Sequence, residues 1–158
     1  MPTLDDYKDF FAVLRKRTGI EALVPDDAGL VSVRVQDEYN VNFQFVGPSG
    51  KILCFVEVAD LPKDAGREIY RELLAAGLFG LETAGGHFTL AAETETVVYD
   101  YLFDFEPAAA DPEAFVGAVE KIVQLCDVWA DRIRGILAGG KTPTADVPDA
   151  GPSLRLNP

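Results

Sequence analysis

The sequence predicts an α+β domain in which helices pack a twisted antiparallel sheet, with elements in the order α-β-β-β-α-β-β-α. Three observations predict it. Residues 30–45 alternate apolar and polar side chains, the mark of strands with one buried face. The turn signals Gly47-Pro48-Ser49-Gly50 and Ala84-Gly85-Gly86 join neighbouring apolar runs over short distances, so the strands pair locally. Helical spacing is confined to the two ends and one central stretch, unlike the βαβ alternation of nucleotide-binding domains.

The first helix runs from Leu4 to about Thr18. Thr3 and Asp6 form a T-x-x-D cap, Leu4, Tyr7, Phe10, Phe11 and Leu14 fall on one arc, and Gly19 is the stop. Strands follow at Leu30–Val35, where Val31, Val33 and Val35 share a face, and at Tyr39–Phe45, where Val41, Phe43 and Phe45 do. A third strand, Lys51–Val58, is apolar at Ile52, Leu53, Cys54, Phe55 and Val56 and is expected to be buried on both faces. Pro62 ends the sheet segment. A second helix from about Asp64 to Ala76 turns Ile69, Leu73 and Leu74 inward and stops at Gly77. Two more strands, His87–Ala91 and Thr96–Phe105, come next. The latter sets Val97, Tyr99, Tyr101, Phe103 and Phe105 on one side. Asp111-Pro112-Glu113 opens a long final helix, with an N-cap, a proline at the first helical position and an acid at the positive dipole end. Phe115, Val119, Ile122, Cys126, Trp129, Ile133 and Ile136 form its apolar stripe. Residues 1–138 read as one domain and 139–158 as a Pro/Gly-rich flexible tail.

Charge narrows the function classes. With 14 Lys and Arg against 26 Asp and Glu, the net charge is −12. Lys141 and Arg155 balance Asp146 and Asp149 in the tail, so the whole excess sits on the domain. Such a chain repels phosphate, which argues against nucleic acid and against anionic membrane surfaces. No apolar run reaches the roughly 20 residues of a membrane helix. Met1–Asp6 has neither the basic nor the apolar region of a secretory signal, so the expected location is cytoplasmic. There the two cysteines, Cys54 and Cys126, are expected as buried thiols.

The motifs do not assemble a catalytic or metal site. Gly135-Ile-Leu-Ala-Gly-Gly140-Lys141-Thr142 satisfies the phosphate-loop pattern, yet it follows a helix and precedes Pro143, where the chemistry needs a strand before and a helix after. A helix C-cap at Gly139-Gly140 accounts for it. His87 has no evident nucleophile or orienting partner and reads as a strand-start residue. Asp100, Asp104, Glu93 and Glu95 have the chemistry to hold a divalent cation, but in so acidic a chain they read as a solvated face. No metal site and no cofactor are expected. What remains is apolar surface somewhat beyond the needs of one small core; either all of it is core, or part of it meets a partner chain or a second copy.

Several local patterns together resemble the acidic chaperones of type III secretion, the Tir chaperone or CesT-like family, over about Phe10 to Leu137. They are Leu61-Pro62 before the second helix, the run Glu72-Leu-Leu-Ala-Ala-Gly-Leu-Phe79, the strands Thr83-Ala-Gly-Gly-His-Phe-Thr-Leu90 and Glu95-Thr-Val-Val98, and a closing helix with Trp129 near its end. Gly77 departs from the family's frequent Asn, and both residues accept a left-handed helix cap. The tail is not a usual family feature.

The resemblance implies a homodimer without enzymatic activity that binds the N-terminal segment of a secreted effector in extended form and keeps it soluble and export-competent. A contact with the secretion ATPase is a further partner it raises. An extended segment adds to a sheet edge and sets side chains into grooves. By family analogy the effector-binding residues are Leu4, Phe10, Phe11, Leu14, Val31, Val33, Val41, Phe43 and Phe55. The dimer interface is assigned in the same way to Leu78, Phe79, Val97, Tyr99, Tyr101 and Leu102. Alternation lets only one face of each strand serve the core, and the sequence leaves open which. The alternative is a YbjN-like binding or regulatory module of the same fold with no secretion role.

Overall fold

The computed structural model describes residues 1–139. Helix α1 (Leu4–Thr18) starts with a reciprocal cap. The Thr3 hydroxyl accepts from the Asp6 N–H at 3.2 Å, and the Asp6 carboxylate accepts from the Thr3 N–H at 2.8 Å. Hydrogen bonds from the Thr3 side chain and then its backbone hold the Asp6 carboxyl below its ordinary pKa. Gly19, at φ +72°, closes the helix through a left-handed turn that a side chain would resist.

Strands β1 (Leu30–Val35), β2 (Tyr39–Val46) and β3 (Lys51–Asp60) form a meander. After α2 (Arg67–Ala76) come β4 (His87–Ala91) and β5 (Thr96–Asp104). The five-stranded antiparallel sheet has the order β1-β2-β3-β5-β4, which leaves β1 and β4 at its edges. Two helices follow, the short α3 (Phe105–Ala110) and the long α4 (Pro112–Leu137), whose N-cap Asp111 accepts from the Ala114 N–H.

Register settles which face is core. Val31 opposes Phe43, Phe43 opposes Cys54, and Cys54 opposes Tyr101, so these four share one face of the sheet. Helices α1 and α4 pack on that face. Phe11 stacks on Phe43 at 5.4 Å, Tyr7 on Phe45 at 5.3 Å, Phe115 on Phe103 at 4.9 Å and Trp129 on Phe88 at 4.9 Å between ring centroids. Aromatic pairs in such tilted and edge-on arrangements add to the stabilisation from their burial alone. Both cysteines are buried and free, and burial pushes each thiol up to about 12.

Four expectations are corrected. β3 is not buried on both faces: Ile52, Cys54, Val56 and Val58 are buried against the helices, while Leu53 and Phe55 are half-buried on the opposite face. Past Val58 the register against β5 shifts by one residue, so that Glu57 opposes Val98 and Ala59 opposes Val97. α2 begins at Arg67 rather than Asp64, and Leu74 is 79% exposed. Ile69, Leu73 and Ala76 lie at i, i+4 and i+7 and take the inner face, which turns Leu74 away. Gly77 stops α2 at φ −73°, without the left-handed cap; the left-handed turn falls on Phe79 and Gly80 instead. Finally, β5 stops at Asp104. The Phe105 N–H bonds to the Gly50 carbonyl, and Phe105-Glu-Pro-Ala-Ala-Ala110 folds as α3. Its alanines favour a helix, and Pro107 sits in the first turn, where no helical N–H is needed.

The turn before β4 is fixed by a close approach. The Tyr99 hydroxyl donates to the Thr83 carbonyl at 2.7 Å, beneath Gly86. A Cβ at Gly86 would stand 2.3 Å from the Tyr99 ring and hydroxyl and 2.6 Å from the Asp100 carbonyl. Gly86→Ala is therefore expected to destabilise the fold by about 1–3 kcal/mol, the range of an overpacked site. The midpoint of urea unfolding checks it, and an unchanged midpoint would show that the turn moves freely aside.

Candidate functional site

Two apolar features stand out at the surface of the described residues. The first is a groove of about 380 Å³ between α1 and α4, floored by β1 and β2. Phe11 and Leu14 line it from α1, Val33, Val35, Val41 and Phe43 from the sheet, and Phe115, Val116, Val119 and Val123 from α4. Thr18, Gln36, Glu120 and Gln124 supply its polar boundary. Side-chain size explains why it exists. Where Tyr7, Phe10 and Phe11 meet Phe43, Phe45 and Phe115, aromatic rings fill the space between helices and sheet. Further along α1 the rings give way to Leu14 and Thr18, and α4 answers with valines. β1 borders the groove and is an edge strand, so its outward N–H and C=O groups have no ladder partner within the sheet.

The second feature is a run of exposed side chains. Within the stretch Leu74–Leu81, four large side chains stand out: Leu74, Leu78 (61% exposed), Phe79 (82%) and Leu81 (81%). Phe79 holds a left-handed backbone at φ +54°, which a residue with a bulky side chain rarely adopts.

The structure brings together only part of each set expected from the sequence. Phe11, Leu14, Val33, Val41 and Phe43 converge on the groove. Val31 shares their sheet face but does not line the groove. Phe10 is core, packed among Phe11, Phe105 and Phe115. Leu4 lies at the far end of α1 beside Gly29. Phe55 is in register with Asn42 and Asp100, so it lies on the opposite face of the sheet from the groove. In the second set, Leu78 and Phe79 are exposed, whereas Val97 and Tyr99 are buried and Tyr101 is half-buried on the helix-covered face. Leu102, the remaining β5 residue of this set, is exposed, on the other face. β5 alternates against β3, which assigns Val97, Tyr99 and Tyr101 to the core.

Sequence reasoning missed the α4 wall, Val116 and Val123, because a helix stripe reads as core whether or not a partner helix fills the space. The valine spacing 116, 119, 123 was the available signal. It also missed Leu74 and Leu81.

The other candidates are dispersed. His87 Nδ1 lies 3.3 Å from Asp100 Oδ1 across the β4–β5 ladder, and Asp104 pairs with Lys51. Among the described residues no cluster of three or more His, Cys, Asp or Glu side chains is placed to hold a metal. Nor is any helix there long and apolar enough to cross a membrane. Gly135 lies inside α4, so the phosphate-loop pattern begins as helix; Gly140, Lys141 and Thr142, like all of the expected tail after Gly139, fall outside the described residues.

The profile of the Tir chaperone protein (CesT) family matches residues 10–130. The chain belongs to that family. The matched span carries both features, from Phe10 on α1 through the Leu74–Leu81 patch to α4. Solved structures share the fold. A chain of the ExsC–ExsE complex superposes with a TM-score of 0.70 at 18% identity, covering 84% of this chain and 97% of that one. A chain of the HopA1–SchA chaperone–effector complex gives 0.59 at 18%, covering 82% and 91%. The structure of the Yersinia pestis type III secretion chaperone SycH with a stable fragment of YscM2 gives 0.55 at 14%, covering 75% and 98%. No curated protein sequence matches this one. As a CesT-family chaperone, the chain has the helix-packed five-stranded antiparallel sheet expected from its sequence.

Proposed function

We propose that this chaperone is a cytoplasmic homodimer that holds an extended segment of a type III secreted effector, without catalysis or cofactor. The observation that carries the reading is the apolar groove beside the free β1 edge. Main-chain groups of an added strand would find partners along β1, and alternate side chains would enter the groove. The Leu74–Leu81 patch then serves the second copy, since exposed apolar groups of that size mark an interaction surface. The net charge of −12 keeps such a dimer soluble and favours approach of basic segments. The solved complexes of similar fold are named as chaperone–effector and secretion-chaperone assemblies, which supports this reading over a regulatory module of the same fold.

The test is capture of partners on tagged protein from its own cytosol, with the mass of the complex measured by light scattering. One or a few secreted proteins, at two copies of this chain per partner, are expected. A monomer that returns no secreted protein would overturn the proposal.

A further inference from the structure

The exposed patch is held from behind by one side chain. Arg132, in the second half of α4, donates from Nη2 to Glu72 at 2.7 Å and from Nη1 to Glu82 at 3.2 Å. Its guanidinium carbon lies 4.5 Å from the centre of the Trp129 ring. Glu72 belongs to α2 and Glu82 to the turn beyond the patch. A single planar fork therefore ties together both flanks of Leu74–Leu81 and seats them on a buried ring of α4.

The segment from the patch into the turn beyond Glu82, with the clamp itself, is frustrated in the isolated chain. Phe79 and Ala84 are left-handed at φ +54° and +50°. Among the described residues three buried side-chain polar atoms lack a partner, and two of them, Thr83 Oγ1 and Arg132 Nε, belong to this region. The Phe79 side chain, carried on this left-handed backbone, is 82% exposed. A strained backbone that presents a bare aromatic is a feature expected of a recognition surface.

We infer that Arg132 is a positioning residue for self-association: by clamping Glu72 and Glu82 it fixes the one conformation of residues 77–86 that sets Phe79 and its leucine neighbours against a second copy. The inference rests on the homodimer reading. It adds that a residue set behind the patch controls the dimer. Lysine does not replace it, because one ammonium group on a flexible stem cannot span both carboxylates in the fixed fork geometry.

The test is the dimer dissociation constant of the full chain by sedimentation equilibrium, for wild type, Arg132→Gln, Arg132→Lys and Glu82→Gln. Far-ultraviolet circular dichroism reports the fold. Val31→Ala serves as a control that lowers stability far from the patch. The expected result is a constant raised by about tenfold or more in both Arg132 variants. Glu82→Gln should raise it less, and Val31→Ala should leave it unchanged. A constant unmoved in a folded Arg132→Gln chain would overturn the inference. So would an equal shift in Val31→Ala, which would reduce the role of Arg132 to general stability. If Arg132→Gln does not fold, the Glu72→Gln/Glu82→Gln double variant decides in the same terms. A wild-type chain that is monomeric at every concentration overturns the homodimer reading itself. A wild-type dimer with unaffected variants overturns only the role of Arg132.

Discussion

Trp129→Ala is expected to cost about 3–5 kcal/mol of folding stability, the range for truncating a large buried aromatic side chain. The indole is 2% exposed, and it is the only tryptophan in the chain. Its ring lies 4.9 Å from Phe88, whose own ring lies 5.6 Å from Tyr99. Trp129 therefore joins α4 to the β4–β5 hairpin, and its removal leaves a cavity that the sheet and a long helix cannot close by small shifts. The substitution also strips Arg132 of the ring beneath it. In a domain of this size each kcal/mol lowers the melting temperature by about 2–4 °C, so a fall on the order of 10 °C should follow. Because the variant loses the fluorescent probe, the transition is best followed by circular dichroism. A urea midpoint close to that of wild type would show that the indole faces a partner or solvent, and would remove the core role assigned to it.

The local chemistry of the chain made most of the fold legible. Thr3, Asp6 and Gly19 bound α1 as capping rules require, and the alternation of Val31, Val33, Val41 and Phe43 placed β1 and β2. Elements were misread where two rules competed. Phe105 continued the alternation of β5, yet the alanines after it favour a helix, and local propensity prevailed once the ladder with β3 ended at Lys51. Leu74 looked like a core residue from its neighbour Leu73, but only the i, i+4, i+7 row of α2 reaches the core. The groove was half legible. Its sheet floor and α1 wall follow from residues that must lie on one face. Its α4 wall depends on how far apart two helices settle over the sheet, which is a property of packed volumes and not of periodicity. Phe55 shows the same limit from the other side: its chemistry suits a groove, but only the register with Asn42 and Asp100 reveals that it lies across the sheet from one.

The groove and the patch occupy different elements, so binding and self-association should be separable by substitution. Val119→Glu is expected to weaken binding of the captured effector by at least about a hundredfold while the chain still folds and dimerises. Val119 is half-buried and lines the groove midway along the α4 wall. In the free chain a glutamate there can turn its carboxylate outward to solvent past Gln124 at the groove's polar boundary, which lowers the cost to folding. Once an apolar segment fills the groove, that escape closes and the carboxylate is either desolvated without a partner or blocks entry. A buried unpaired charge costs several kcal/mol, and each 1.4 kcal/mol is a factor of about ten in affinity. Val128→Glu is the matching control. Val128 lies on the same helix but is 63% exposed and outside the groove, so the same charge there should leave binding unchanged. Isothermal titration with the purified effector segment measures both. Equal affinities for wild type and Val119→Glu would move the binding site off the groove and leave the free β1 edge to act without it.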